Sequence, residues 1–420
     1  MSDVRPGYKL SEVGIIPEDW ETGTVKEVGP IQTGPFGTLL KAAEYSNGGG
    51  VPLISVGEIQ MGSIRLRSDT PTVDEHVVKR LPQYVIRNGD ILFGRKGAVE
   101  RSAVVVPAQD GWFLGSDGLR LRPRRGYASA FLGYQFQTHQ IQHWLKENSV
   151  GTTMPSMNQA VLGRVRFPKP PTEHEQKSIA QALGDADALI GGLEALIAKK
   201  RDIKQGAMQE LLTGQRRLPG FKGEWRAVTA GDVGAFRGGN GFPLWAQGRN
   251  EGDYPFFKVS DMNHMGNETF LIYVNHRISD AIRKRIGATV FPAGSIVFAK
   301  VGAAVFLERK KILAQASCID NNMSAFTLDS GLADISYTHF LLLKEKLGDL
   351  VATTALPSLN GKVLREIAFS LPPLNEQRAI AAVLSDLDAE IAALDAKLAK
   401  ARDIKQGMMQ VLLTGEVRLL

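Results

Sequence analysis

Apolar positions along the chain change period twice, at matching places. Between residues 51 and 123, short runs rich in β-branched and aromatic residues alternate with Gly, Pro, Asp and Asn. They are VPLISVGEI (51–59), GDILFGRKGAV (89–99), SAVVVP (102–107) and LRLRP (119–123), a pattern of short strands joined by turns. Long helical crossovers are missing between them, so the spacing predicts a meander or small barrel and not a doubly wound sheet. A helical patch follows at about 128–147, with Phe131, Tyr134, Ile141 and Leu145 largely on one face, then a polar, turn-rich connector, GTTMPSMN (151–158). Beyond it the period becomes that of a heptad. Ile179, Leu183, Ala186, Ile190, Leu193 and Ile197 lie alternately four and three apart, a seam made for helix–helix packing. It predicts one helix over 173–212, about 60 Å long at 1.5 Å per residue.

The second half runs through the same events. Its seam is Ile380, Leu384, Leu387, Ile391, Leu394 and Leu398. RDIKQGAMQELLTG (201–214) recurs as RDIKQGMMQVLLTG (402–415), twelve of fourteen positions identical at an offset of 402 − 201 = 201. Glu175-Gln176 matches Glu376-Gln377, and Asp187 matches Asp388. Before the helices the offset is 205: Trp20 matches Trp225, and GDILFGRKGAV matches GSIVFAKVGAA (294–304). TTMPSMN matches TTALPSLN (353–360). A period near 200 is too long for a solenoid and describes two large modules, each ending in a long helix. The expected fold is α+β: two similar mixed α/β modules (1–168 and 216–371) joined by two antiparallel coiled-coil helices (169–215 and 372–420). A pseudo-two-fold repeat with neighbouring chain ends follows.

Local signals mark the helix ends. Thr172 and Glu175 form a capping-box sequence, and Gly214 and Gly415 sit where left-handed terminating residues belong. After Lys200 and Lys204 the apolar stripe shifts to Ile203, Met208, Leu211 and Leu212, marking a change of partner or the end of pairing. Gly206 and Gly407, each costing about 1 kcal/mol against alanine within a helix, suggest close backbone approach or a bend.

Composition adds limits. At 420 residues with 43% hydrophobic and 22% charged content, the chain supports two or three folded domains. No apolar leader or membrane-length run appears and Cys318 is the lone cysteine, which points to a cytoplasmic protein without a membrane partner. A formal charge of +6 permits nucleic-acid binding, and each module concentrates cations in strand-and-loop territory. Phosphate-loop, HExxH, G-x-S-x-G and methyltransferase tetrapeptide motifs are all missing, and the seven histidines show no paired metal spacing. No catalytic residue, metal site or cofactor is assigned to this chain, which reads as a binder.

The doubled pattern P-P-x(2–3)-E-Q-x2-I-A, then K-Q-G-x-M-Q-x-L-L-T-G-x-x-R, resembles the specificity (S) subunits of type I restriction–modification systems over essentially the whole chain. TGPFGTLLKAAEY (33–45) with GDILFGRKGAV is similar to their target recognition domains. The resemblance implies a DNA-reading subunit whose two domains each recognise half of a bipartite, asymmetric duplex site. It implies docking to two methyltransferase (M) subunits and to restriction (R) subunits, with S-adenosylmethionine, ATP and Mg in those partners. The candidate DNA contacts are Gln32, Thr33, Gly34, Phe36, Arg95, Lys96 and Arg101 in the first module, and Arg237, Asn240, Lys258 and Lys300 in the second. Arg can pair bidentately with guanine, and Asn or Gln with adenine; structural hairpins carrying phosphate-contacting charge fit the same residues. Candidate M-subunit contacts are Lys199, Lys200, Arg201, Lys204, Gln205, Lys400, Arg402, Lys405 and Gln406, whose cations would equally complement the helix C-terminal dipoles. A two-module scaffold that does not bind DNA, or a specificity subunit of a methyltransferase-only or other-type restriction system, remains open at this point.

Overall fold

The computed structural model describes residues 4–46, 48–151, 153–351 and 357–419. Packing divides the chain into two units, Met1–Glu194 with Ala396–Leu420, and Ala195–Asp395. Each of the two 39-residue helices, Glu173–Leu211 and Leu374–Leu412, therefore contributes one half to each unit.

In the first unit, a four-stranded antiparallel sheet has the order Ile31–Thr33, Gly118–Leu121, Ile91–Gly94, Ser102–Val104. The all-apolar pattern of Ile91-Leu92-Phe93 fits its place there, with a strand on either side and every residue buried. A second sheet sets Val51–Ile54 parallel to Phe113–Leu114 and antiparallel to Thr72–Val73. A third pairing, Glu21–Thr24 with Arg166–Lys169, returns the chain to its start just before the long helix.

The second unit repeats this plan. Its main sheet runs Gly234–Gly238, Met323–Leu328, Ile296–Ala299, Lys310–Leu313, with Phe270–Leu271 added in parallel at the edge. Tyr254–Phe257 lies parallel to Cys318–Ile319, and Arg226–Thr229 pairs with Ala368–Leu371. The sheets are not doubly wound, as expected. The strand order is not that of a meander either, because Ile31–Thr33 pairs across the sequence with Gly118–Leu121 and only neighbours such as Ile91–Gly94 and Ser102–Val104 form hairpins.

The helical patch at 128–147 divides into Ser129–Phe136 and His139–Asn148. Thr138 takes an extended backbone and its hydroxyl donates to the Gln135 carbonyl, which stops the first helix and starts the second. Phe131, Ile141 and Leu145 are nonetheless buried in one core, with Tyr134 packed at its edge. That core also takes Trp20 and Phe167, Ile179 and Leu183 from the first long helix, and Leu412 and Leu413 from the end of the second. In the second unit, Leu211 and Leu212 from the first helix join Ile380 and Leu384 from the second, with Tyr337 and Phe369. The shifted stripe is thus a change of partner, from helix to sheet-and-helix core. Met208 packs against that core, but Ile203 is 44% exposed and does not belong to the stripe. The glycines invite a second correction. A Cβ built on Gly206 or Gly407 meets nothing within 4 Å, so neither marks a close approach.

The helices pair antiparallel within each unit. In the first, Asp187 meets Lys405 at 2.6 Å and Glu194 meets Arg402 at 2.6 Å; one number rises as the other falls. In the second, Lys204–Asp388 and Arg201–Asp395 do the same, and Lys200–Glu390 adds a third cross-helix pair.

A deeper pair closes each unit. Glu175, at the start of the first helix and 2% exposed, takes the Arg418 guanidinium on both carboxylate oxygens, and Arg418 also reaches Asp19 at 2.8 and 3.0 Å. Glu376, at the start of the second helix and fully buried, takes Arg217 at 2.9 Å. The capping box at Thr172 is consequently half formed: its hydroxyl accepts from the Glu175 N–H, while the Glu175 carboxylate is turned to Arg418. Gly214 and Gly415 adopt positive φ (72° and 75°), turning the tails beneath Trp225 and Trp20 respectively.

Two outcomes follow. Arg418→Ala, which strands a buried carboxylate, lowers the melting midpoint by about 5 °C, whereas Arg402→Ala, removing an exposed pair, shifts it by less than about 2 °C; equal shifts in calorimetry would refute the ranking. Arg5 donates to the Glu416 carbonyl, so both ends of the chain meet in the first unit. A circular permutant with the termini joined by a short linker and the chain opened after Gly220 should fold with native circular dichroism, and loss of the cooperative melt would count against that closure.

Candidate nucleic-acid interface

In both units the same backbone bonds gather three loops at one end of the main sheet. The Gly34 N–H donates to the Gly118 carbonyl, Arg95 N–H to Asp117, Gly97 N–H to Pro155, and Met157 N–H to Arg95. Their counterparts are Gly239 to Met323, Lys300 to Asn322, Gly302 to Pro357, and Leu359 to Lys300. Glycine is required twice. A Cβ on Gly34 would lie 1.8 Å from the Gly115 carbonyl oxygen and one on Gly239 2.1 Å from that of Asp320, so the loops approach the strands too closely for any side chain. Gly97 and Gly302 hold φ of 74° and 77°, which lets the turn double back onto the connector.

The first unit brings the two expected loops together. Phe36, 58% exposed, lies under the Arg95 guanidinium at 5.4 Å. Arg95 also donates to the Ser116 carbonyl at 3.2 Å, and Lys96 pairs with Asp117 at 3.3 Å. Gln32 donates to the Thr33 carbonyl, and the Thr33 hydroxyl accepts from Gln159. Arg101 ends the turn, where its carbonyl accepts from the Gly94 N–H. The cluster therefore presents a positive, partly aromatic surface at the sheet end, with its cations braced but still reachable by solvent.

The second unit differs in detail. Arg237 is exposed, and Lys300 lies against Gly238, where a Cβ would come within 2.4 Å of the ammonium. Lys258 donates to Gln247 at 3.1 Å. Asn240 is tied into the fold: its amide donates to the Gly287 carbonyl at 3.1 Å and its oxygen accepts from the Thr289 N–H at 2.9 Å. One N–H and one oxygen lone pair of its amide thus tie loops together, and the second of each is left to a ligand. Of the TTALPSLN connector, Thr353, Thr354, Ala355 and Leu356 lie outside the described residues. Both connectors do more than link: their backbone groups at Pro155, Met157, Pro357 and Leu359 hold the turns, a role signalled by the recurring P-S-x-N.

On the helices, the candidate docking cations are mostly engaged within the chain. Lys200, Arg201, Lys204, Arg402 and Lys405 form the ion pairs described above, so the fold braces them against the opposing helix. They flank the heptad seam, where cross-helix carboxylates are nearest. Lys204 and Lys405 lie over Phe340 (5.5 Å) and Tyr134 (5.4 Å). Burial, then the hydrogen bond to Asp187, pushes the Tyr134 phenol well above its usual range. Lys199, Gln205, Lys400 and Gln406 remain exposed. Among the described residues no group of His, Cys, Asp and Glu is placed to hold a metal ion, and no helix is long and apolar enough to cross a membrane.

Comparison with known proteins agrees with this duplicated plan. A family profile described as the type I restriction modification DNA specificity domain matches twice, at residues 17–199 and 222–401. The chain is 27% identical to the putative type I restriction enzyme MjaX specificity subunit of Methanocaldococcus jannaschii, covering 98% of this chain and 97% of that one. It is 24% identical to the MjaVIII specificity subunit of the same organism, covering 96% and 94%. Among solved structures, the type I restriction-modification S subunit from M. genitalium superposes with a TM-score of 0.60 at 15% identity, over 97% of this chain and 98% of the other. A chain from a structure describing complex assembly and conformational transition of the type I R-M system gives 0.53 at 18% identity, over 96% and 99%. These two establish likeness of fold.

The geometry separates two kinds of variant. Lys300→Ala leaves the melting midpoint unchanged and weakens duplex binding, with the salt slope reduced by about one. Asn240→Ala acts first on stability, by about 1 kcal/mol or more for two lost bonds. Titrating labelled duplex at several salt concentrations, beside a thermal melt, checks both.

Proposed function

This chain belongs to the type I restriction–modification DNA specificity family, and we propose that each of its units reads one half of a two-part duplex DNA site. The carrying observation is a contrast within the chain. Helix pairing, closing ion pairs and loop-holding backbone bonds recur in both units, while the side chains on the gathered loops differ: Arg95, Lys96 and Phe36 in one, Lys300, Arg237 and Lys258 in the other. A common scaffold with unlike tips suits a protein that presents two different base-reading surfaces. Phosphate contacts by the loop cations would position each unit, and a few side chains on base edges would specify the sequence.

The chain itself is non-catalytic in this reading. Adenine methylation with S-adenosylmethionine, and ATP- and Mg-dependent cleavage, belong to M and R subunits that it positions. Two M subunits dock on the repeated helices, with Lys199, Gln205, Lys400 and Gln406 as the exposed members of the candidate set. A cytoplasmic location accompanies this function.

Three measurements bear on the proposal. Binding to duplex DNA should weaken steeply with salt, by about a thousandfold between 50 and 200 mM for six phosphate contacts; a flat response favours a scaffold that does not bind DNA. The host methylome should contain a two-part motif with an unread gap, and a single continuous palindrome would contradict two independent readers. Replacing residues 1–168 with the first module of another family member should change one half-site only.

A further inference from the structure

The loop after the strand Gly234–Gly238 carries two apolar side chains that packing does not explain. Leu244 is 87% exposed and Trp245 48%. The loop is nevertheless firmly held. Phe242 stacks on Phe256 with ring centres 3.7 Å apart, Ala246 is buried, and Gln247 donates to the Phe242 carbonyl at 2.7 Å while accepting from Lys258. A single 3-10 turn, Leu244–Ala246, thus holds the Leu-Trp pair out on a braced base.

A cation completes the arrangement. The Arg285 guanidinium lies 4.5 Å over the Trp245 ring centre. Its helix neighbours Arg283 and Lys284 share the Asp280 carboxylate, but Arg285 has no carboxylate partner among the described residues. The first unit provides the contrast at the offset shared by the two modules, 285 − 80 = 244 − 39 = 205. There Arg80 donates to the Leu39 carbonyl at 3.3 Å and pairs with Glu44 at 2.6 Å, so the equivalent cation is neutralised. Only the second unit leaves this charge uncompensated, beside an exposed indole.

We propose that Leu244 and Trp245, flanked by Arg285, form a wedge that enters the base stack of the half-site read by the second unit, with Arg285 on an adjacent phosphate. The inference rests on the DNA-reading function proposed above. An apolar side chain inserted at a base step, beside a cation that meets the backbone, is how proteins unstack and kink duplexes. Two side chains match one base step in size, whereas a stable protein interface needs about 800 Å² per partner. The cation on the indole also selects an anionic partner over a neutral one. Exposure, not residue type, distinguishes this dipeptide from a core Leu-Trp pair.

The test uses the full chain and duplexes carrying the host's two-part methylation motif, with 2-aminopurine replacing one adenine at a time. Wild-type protein should raise emission at a position in one half-site only. L244A/W245A should abolish that rise and weaken cognate binding by about tenfold, while random duplex changes less than twofold. R285Q should weaken both duplexes and reduce the salt slope by about one. Both side chains are solvent-exposed, so the melting midpoint should hold, and W245F should retain the signal. L244A/W245A with unchanged emission and affinity overturns the wedge. So does a variant that binds DNA normally but loses a co-purifying protein, which would make the pair a protein contact. Wild-type chain without salt-dependent duplex binding is a separate result, and it removes the DNA-reading function together with the wedge.

Discussion

Each unit depends on one buried carboxylate meeting an arginine from the other repeat. Glu175 and Glu376 sit at helix N-termini, where the dipole favours negative charge but the surrounding core removes water. Desolvating a carboxylate costs several kcal/mol, and only a well-placed bidentate cation offsets it. Arg418 is 243 residues from Glu175 and Arg217 is 159 from Glu376, so neither unit is complete until the tail of one repeat closes on the helix start of the other. The adjoining contacts follow from that closure: Gly415 turned under Trp20, Leu412 and Leu413 in the first core, and Leu211 and Leu212 in the second.

This closure explains why the helix ends, 201–214 and 402–415, are nearly identical while the modules are not. Residues of the repeated segment meet matching counterparts in the two copies, Lys405 with Asp187 as Lys204 with Asp388. A change in one copy breaks a pair whose other member lies in the other copy. The loops at the sheet ends carry no such reciprocal demand. Glycines and backbone bonds hold their course, and their side chains are free to differ, which is the freedom a reader of two unlike half-sites needs.

Much of the architecture was legible in the chain. Heptad spacing with its flanking cap signals placed the first helix within a residue of its ends and located the second inside 372–420, since it reflects contacts repeated every turn along one element. The matched Trp20 and Trp225, and the paired β-branched runs, showed that the modules share a fold. Where that reading failed, the missing quantity was a partner. Glu175 satisfied the local capping pattern, yet its carboxylate is held by a residue near the far end of the chain. The KQG lysines resemble a docking surface in sequence, and only the fold shows that Lys204 and Lys405 each sit against a carboxylate of the opposing helix. Asn240 has the right chemistry for adenine, and the fold takes up one N–H and one lone pair of its amide for Gly287 and Thr289.

The sequence by itself determined the duplication, the extent and seam of each helix, and the residue types available to the loops, because these depend on short-range periodicity. Tertiary structure alone decided which charges are neutralised and which remain to meet a ligand. Coulomb pairing has no period, and a given arginine finds many carboxylates equally acceptable until the fold brings one of them within 3 Å. Arg80 and Arg285 occupy the same place in the repeat. The structure pairs the first with Glu44 and leaves the second on the face of Trp245.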